Sequence, residues 1–367
     1  MQGSATWCRV DTTTREGIDA LVAELARSPL AGRMSLLDDP RWLAALADEP
    51  GKGVRAYAWR SGTELVGYVG YLVHPSAVRL ALGEFTLLSR PVRRLWGLAN
   101  PIFAPNLTSG EERDAIAALL EQVRRDLVPG EVVFLEAVVA ETACMELLGN
   151  PKGRRHGFHA LQNGQLYQHR SARLADSFDA YLAQLGAKTR SDLRSTRKKF
   201  IAHVKEGYRT RCFRAPDEVA EFVADAMAVS RKTYQYRQLD AGLQDRDALV
   251  RRYRATAALG WFRSYILYVD DAPIAFQAGH LYRGRYHAQE IGYDPAWARQ
   301  HVGIFLHTEI IAELAACGEN VEWFDFGIGD TQHKQRLSTQ TVAGGYFYLI
   351  PDTWRGSAMA ATMRSTN

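Results

Sequence analysis

WFRSYILYVDD at 261–271, IAFQAGHLY at 274–282 and RYHAQEIGY at 285–293 are three runs of aromatic and β-branched residues separated by turn-forming residues. Such residues suit a pleated, half-buried surface. Asp270, Asp271 and Pro273 predict one tight turn and Arg283-Gly284 a second, while Pro295 ends the third run because proline cannot donate to a ladder. Sequential strands with loops this short pair as an antiparallel meander. The period then changes. In AWARQHVGIFLHTEIIAELAACG (296–318), Ile304, Ile311 and Leu314 recur at helical spacing with His307 and Thr308 between them, and Gly318 stands at the C-terminal cap. The helix is expected to begin near Val302 or Gly303. Its first turn carries unpaired backbone N–H groups and the positive end of the macrodipole, and a glycine there leaves room for a close-approaching diphosphate. VEWFDFG (321–327) and TVAGGYFYLI (341–350) read as two further strands.

Upstream the order of elements is similar. Helices are expected around Gly17 to Ala26 and Pro40 to Ala47, then strands VRAYAWR and ELVGYVGYLV joined by Ser61-Gly62. Ser109 followed by Glu112 has the capping-box spacing and predicts a helix through Arg125, with EVVFLEAVV and GQLYQHR as strands after it. This is an echo of elements, not of residues. A boundary is expected near Ser171 to Ser177, giving an N-terminal domain over 1–172 and a C-terminal domain over 173–367. No Gly/Ser- or Pro-rich linker separates them.

A length of 367 residues accommodates two domains, and a hydrophobic share of 47% is ordinary for a globular chain. The start, MQGSATWCRVDTTTREG, has no basic region followed by an apolar run, and no stretch approaches ~18 apolar residues. No membrane span is expected, and the location is read as cytoplasmic. Cys8, Cys144, Cys212 and Cys317 form no Cys-x-x-Cys pair, so neither a metal site nor a disulfide framework is expected. A net charge of +4 carries no global preference for nucleic acid. Local charge does cluster: Lys188, Arg190, Arg194, Arg197, Lys198, Lys199 and Lys205 fall within one predicted helix, opposed by Asp192 and Glu206. At ~100° per residue Arg190, Arg194, Arg197 and Lys198 share a face. That face is either a solvated surface or a dock for the phosphates of an acceptor or of a tRNA acceptor stem.

Strand, Gln-x-x-Gly turn, helix and strand, together with DFGIGDTQHKQRL (325–337) and YLAQLGAKTRSDLRSTRKKF (181–200), resemble the GNAT acyltransferase superfamily. The resemblance is to a branch with two GNAT-like domains that contains the CelD-type, cellulose-biosynthesis-associated acetyltransferases and the related Fem-type aminoacyltransferases. It implies an α/β (α+β) fold of two tandem GNAT-like domains, each a mixed, mostly antiparallel sheet flanked by helices. It also implies acetyl-CoA or another acyl-CoA as donor, with aminoacyl-tRNA as the alternative. The donor's phosphates would then lie on Gln300, His301, Val302, Gly303 and Ile304, and the acyl carbonyl on the backbone around Ile291, Gly292 and Tyr293, where two strands splay. Phe305 stands where the family has a small residue. Lys334 matches the family's lysine, His333 stands in place of its tyrosine, and Leu337 in place of an aromatic residue.

Acyl transfer needs a group to take the nucleophile's proton and another to steady charge on the carbonyl oxygen. Strict alternation puts His287, Gln289, Ile291 and Tyr293 on one face of the third strand, and Tyr286, Ala288 and Glu290 on the other, unless a bulge intervenes. Glu290 is the first candidate for the base, because a carboxylate on an apolar strand is costly to desolvate; His287 is the second. Either is equally readable as a satisfied polar residue. Lys334 is a candidate for oxyanion or phosphate contact, and His333 for proton donor to the leaving group. His156 and His159 lack a carboxylate at metal spacing. Tyr234, Tyr236 and Tyr253 read as core or as an acceptor cleft. Three functions follow: an acyl-CoA-dependent N- or O-acyltransferase acting on a small molecule, sugar or polysaccharide precursor; an aminoacyl-tRNA-dependent transferase; or a non-catalytic binding module. Oligomeric state is left open by the sequence.

Overall fold

A computed structural model describes residues 5–82, 85–149, 154–205, 207–233, 243–353, 356–357 and 359–360. The chain divides into two compact units, Met1–Tyr167 with Ala343–Asn367, and Gln168–Val342.

In the first unit, strands β1 (Thr6–Val10), β2 (Gly53–Ser61), β3 (Glu64–Leu82) and β4 (Phe85–Gly97) pair antiparallel in sequence order. Short β5 (Ile102–Phe103) pairs with β3, and β6 (Glu131–Val139) runs parallel to β4. Helices α1 (Arg15–Arg27) and α2 (Pro40–Leu46) cover one face, and α3 (Ser109–Asp126) and α4 (Ala143–Leu148) the other. The last strand of the chain, β14 (Gln340–Pro351), joins this unit by pairing antiparallel with β6, Gly344 to Leu349 against Val139 to Val133. The sequence reading gave residues 343–367 to the second domain and set the boundary at 172/173. Backbone pairing to β6 accounts for the difference, because a ladder partner far off in sequence leaves no local signature. The cap of α3 also moves by one residue: Thr108 is the N-cap, and its capping box closes on Glu111 rather than running from Ser109 to Glu112.

The first unit also holds the two-residue strand β7 (Arg154–Arg155), paired with the start of β8 (Phe158–Arg173), a strand that leads on into the second unit. There, helices α5 (Phe178–Ala183) and α6 (Ala187–Val204) precede β9 (Tyr208–Phe213), α7 (Val219–Ser230) and α8 (Arg246–Ala258). The expected meander follows as β10 (Ser264–Val269), β11 (Ala272–Tyr282) and β12 (Arg285–Tyr293), all antiparallel, with β9 on the outer side of β10. Asp270, Asp271, Arg283 and Gly284 all have positive φ, so the two hairpin turns sit where the sequence placed them. Helix α9 (Val302–Ala316) then leads to β13 (Trp323–Ile328), parallel to β12 and antiparallel to the second-unit part of β8, and to α10 (Gln332–Leu337). The core on one face joins α5, α6 and α9 through Phe200, Phe305, Leu306 and Ile310, and on the other face α7 and α8 pack over β10 and β11 through Phe222, Tyr253 and Phe262. Each unit thus contains a run of three antiparallel strands, a helix and a further strand parallel to the third. Among the described residues no helix is long and apolar enough to cross a membrane.

Candidate active site

β12 and β13 pair through Arg285 with Trp323, Tyr286 with Phe324 and His287 with Asp325, and no further. Past that point β12 continues to Tyr293 against β11 alone, so the two parallel strands splay. A bulge sits on the free part of β12: Gly279 pairs with Ala288 and Ala278 with Glu290, leaving Gln289 as the extra residue. The bulge resets the alternation. Tyr286 and Ala288 belong to the core under α9, and after the bulge Ile291 and the exposed Tyr293 turn towards the same helix, lying 4.0 and 3.4 Å from where a methyl on Gly303 would stand. Gly292 instead lies against the Phe276 ring, in the core beneath α7 and α8. Glu290, on that same side, feels the Arg252 guanidinium of α8.

Ile291, Gly292, Tyr293, His301, Val302, Gly303 and Ile304 line one cavity of about 520 Å³. His307, Gln332, His333 and Arg336 complete its wall, together with Thr233. Gln300 opens instead on an adjoining cavity of about 470 Å³ that shares His301, Ile304 and Arg336 and adds Lys199, His203 and Arg299. Between the two lies the N-terminus of α9. Its N-cap, His301, is left-handed at φ 52° and makes no side-chain capping bond, so the first-turn N–H groups are not satisfied by a capping side chain. The corresponding helix of the first unit, α3, is closed by Thr108 and carries Glu111 and Glu112 in its first turn. An anion is therefore favoured at the start of α9 and opposed at the start of α3. Phe305, the departure from the family pattern, is fully buried and stacks on Phe200 with ring centroids 4.0 Å apart, so it does not narrow the cavity.

At the point of splay the structure gathers residues that lie far apart in sequence. Asp325 Oδ1 accepts from His169 Nε2 at 2.6 Å and from the Gly327 N–H at 2.8 Å, while Oδ2 lies 3.6 Å from His287 Nδ1 and 3.8 Å from Arg285. Burial alone would raise the Asp325 carboxyl, but the hydrogen bond and charge of His169, with smaller contributions from His287 and the Gly327 N–H, outweigh it and hold it down to about 2. Burial pushes His287 down to about 4, against the pull of Asp325. His287 is thus neutral near pH 7, and among the described residues its Nε2 has no protein partner. Glu290 keeps its side chain open to solvent; the protein around the carboxyl pushes it modestly upward, opposed by Arg252.

The glycines of DFGIGD are set by backbone geometry, Gly327 at φ 72° and Gly329 at φ 119°. Asp330 accepts from Arg170 Nε at 2.6 Å, so the two acids of this segment hold adjacent residues of β8. Lys334 does not line the cavity. Its Nζ donates to the Ile328 carbonyl at 2.7 Å, tying α10 to the end of β13, and burial lowers its pKa. His333, one residue back, does line the cavity. The basic face of α6 is largely spent on internal partners: Arg190 donates to the Leu185 carbonyl at 2.6 Å, Arg194 pairs with Asp179 at 3.1 Å and Arg197 with Glu309 at 2.9 Å. Lys198 is exposed. Tyr253 is core; Tyr234, Tyr236 and Glu206 lie outside the described residues. Among the described residues no group of three or more His, Cys, Asp or Glu is placed to hold a metal.

Residues 187–335 match the family model described as Acetyltransferase (GNAT) domain. The matched stretch lies within the second unit. Three solved structures share the fold over nearly the whole chain. FemX aligns at a TM-score of 0.60 with 11% identity, covering 96% of this chain and 100% of that one. A tandem GNAT protein from the clavulanic acid biosynthesis pathway aligns at 0.53 with 14% identity, covering 94% and 98%. The C-terminal domain of a putative lysylphosphatidylglycerol synthetase from Agrobacterium fabrum aligns at 0.53 with 12% identity, covering 95% and 96%. No curated protein matches the sequence. His307 and His169 escaped the sequence reading: His307 looked like one more residue of an apolar helix, and His169 reaches Asp325 across 156 residues.

Proposed function

We propose that the chain is an acyl-CoA-dependent N- or O-acyltransferase whose donor site is the cavity at the start of α9 and whose acceptor is a small molecule, a sugar or a polysaccharide precursor. The splay of β12 from β13 onto the uncapped end of α9 carries this reading, since it offers backbone N–H groups to an anion and an exposed strand edge to an extended chain. The residues fit such a donor. Val302, Gly303 and Ile304 would hold its diphosphate, with Arg336, Arg299 and Lys199 close by, and Ile291 to Tyr293 would receive the arm. When bound, the donor supplies an activated thioester carbonyl. His287 and Glu290 project from the other side of β12, which is where we place the nucleophile. Glu290 would take its proton, or His287 held by Asp325, and Lys334 would act by fixing His333. We read the enzyme as a cytoplasmic member of the CelD-type branch, a reading supported by the likeness of residues 325–337 to that branch's motif.

The aminoacyl-tRNA reading is favoured by one observation: Lys188, Lys198 and Lys199 of α6 are exposed and form no ion pair among the described residues. Thermal unfolding with acetyl-CoA, and separately with tRNA, tests the two. Micromolar CoA binding stabilises the fold by about 4 kcal/mol at a thousandfold excess of ligand over Kd, and the midpoint rises with it. No shift with CoA, together with strongly salt-dependent tRNA binding, would replace the first reading by the second.

A further inference from the structure

His307 is 3% exposed and sits in the middle of the hydrogen-bond chain beneath the donor cavity. The chain starts at Gln277. Its amide nitrogen donates to the Ala278 carbonyl at 2.7 Å and to the Glu290 carbonyl at 3.1 Å, which fixes its oxygen as an acceptor. That oxygen lies 3.0 Å from His307 Nε2, so Nε2 carries the hydrogen and Nδ1 carries the lone pair. Nδ1 is buried and has no protein partner among the described residues. Burial pushes the ring down to about 3, with the neighbouring His333 and Lys334 charges adding to the effect, so protonation does not supply the missing partner near neutral pH.

His333 mirrors this arrangement. Its ring centroid is 5.5 Å from that of His307 and the planes are 35° apart. Its Nδ1 lies 3.2 Å from Thr331 Oγ1, and its Nε2 is likewise buried without a protein partner among the described residues. The threonine hydroxyl both donates and accepts; we take it to donate to Nδ1, which puts the hydrogen on Nε2. One cavity wall thus offers an acceptor whose tautomer is locked by Gln277 and, beside it, a donor. Unmade hydrogen bonds at buried nitrogens are costly, which points to a ligand group that completes both.

We infer that His307 and His333 together recognise a secondary amide of the molecule that fills this cavity: His307 Nδ1 accepts the amide N–H and His333 Nε2–H donates to the amide carbonyl. The inference rests on the donor reading above, because the arm of an acyl-CoA carries two such amides. It assigns His333 to binding, alongside the proton-transfer role that the sequence suggested. His307 acts as a positioning residue for the donor arm.

The test uses the full chain with ¹⁵N-labelled histidine and two probes, CoA and pantetheine, which keeps the amides but lacks the nucleotide phosphates. The expected result is that His307 Nδ1 shows the unprotonated imidazole signal in the free protein and moves towards the hydrogen-bonded range with either probe. His307→Gln, which keeps a donor towards Gln277 but carries its acceptor oxygen away from the Nδ1 position, should weaken both probes roughly tenfold. Arg336→Ala should weaken CoA alone. CoA binding that leaves the Nδ1 signal unmoved, or that is equal in wild type and His307→Gln, overturns the inference and spares the donor reading. No binding of either probe to the wild type overturns both. The imidazole signals are read on the unsubstituted protein, so a folding defect in the variant does not decide the matter.

Discussion

His287 Nδ1 stands 3.6 Å from Asp325 Oδ2 at the last position where β12 and β13 still pair. The carboxylate is shared with His169 on the next strand, so one buried negative charge orients two imidazoles at the mouth of the splay. Replacing it by a neutral isostere should separate charge from shape. Asp325→Asn is expected to lower turnover at least tenfold while donor affinity, measured by calorimetry, stays within about twofold. Full turnover in that variant would make the cluster purely structural.

Acid should unfold the protein earlier than its carboxylates alone would require. Burial holds His287 near 4, and His280 and His307 near 3, in the folded chain, against about 6.5 when unfolded. Between pH ~6.5 and ~4 the unfolded chain therefore binds protons that the folded chain refuses. Stability present above pH ~6.5 is lost as pH falls, by ~1 kcal/mol per histidine per pH unit. The depressed Asp325 adds a loss in the same direction below pH ~4. Urea midpoints at pH 7.0, 6.0 and 5.0 should fall steadily; a flat series would contradict the buried neutral histidines.

Glu290→Gln distinguishes the two candidate bases. As the base, Glu290 contributes roughly a hundredfold or more to turnover, and its loss should abolish the acidic limb of the rate profile without changing donor affinity. An unchanged rate passes the role to His287, for which His287→Gln is the matching measurement.

Lys334→Ala removes the bond to the Ile328 carbonyl and frees the start of α10. About 1 kcal/mol of stability should go with it. The KM for the donor should rise several-fold through loss of the His333 position, whereas a collapse of kcat at unchanged KM would mean that the ammonium touches the reacting carbonyl.

Arg263 is 2% exposed and donates to Glu319 at 2.5 Å, to Glu313 at 2.7 Å and to the Tyr265 hydroxyl at 3.1 Å. Arg214 adds a second guanidinium to the same two acids. Arg263→Met leaves Glu319 with Arg214 and Glu313 with Arg214 and the Tyr265 hydroxyl, and should cost about 3 kcal/mol, read as a drop in thermal midpoint with activity retained at low temperature. A change under about 0.5 kcal/mol would show that Arg214 alone suffices.

The meander and the start of α9 were legible because local chemistry fixes them: Asp270-Asp271 and Arg283-Gly284 adopt the left-handed turns their composition suggests, and the apolar period changes after Pro295. The cavity lining from Ile291 to Ile304 followed from the same stretch. What escaped depends on registers that no local pattern encodes. The bulge at Gln289 moves Glu290 to the face away from α9, and no composition signal marks it. Phe305 looked like an obstacle at the turn, yet its position on the helix turns it into the core. The basic α6 suggested a phosphate dock because its acidic partners, Asp179 and Glu309, lie on other helices.

The return of β14 to β6 has a consequence for how the chain is made. Residues 168–342 are contiguous, so everything the second unit needs is synthesised before residue 343. The first unit, although synthesised earlier, lacks one of its strands until residues 344–349 emerge. The usual N-to-C order of domain maturation is thereby reversed. A released chain truncated after Val342 should protect the amides of α9 from exchange while those of β6 remain open.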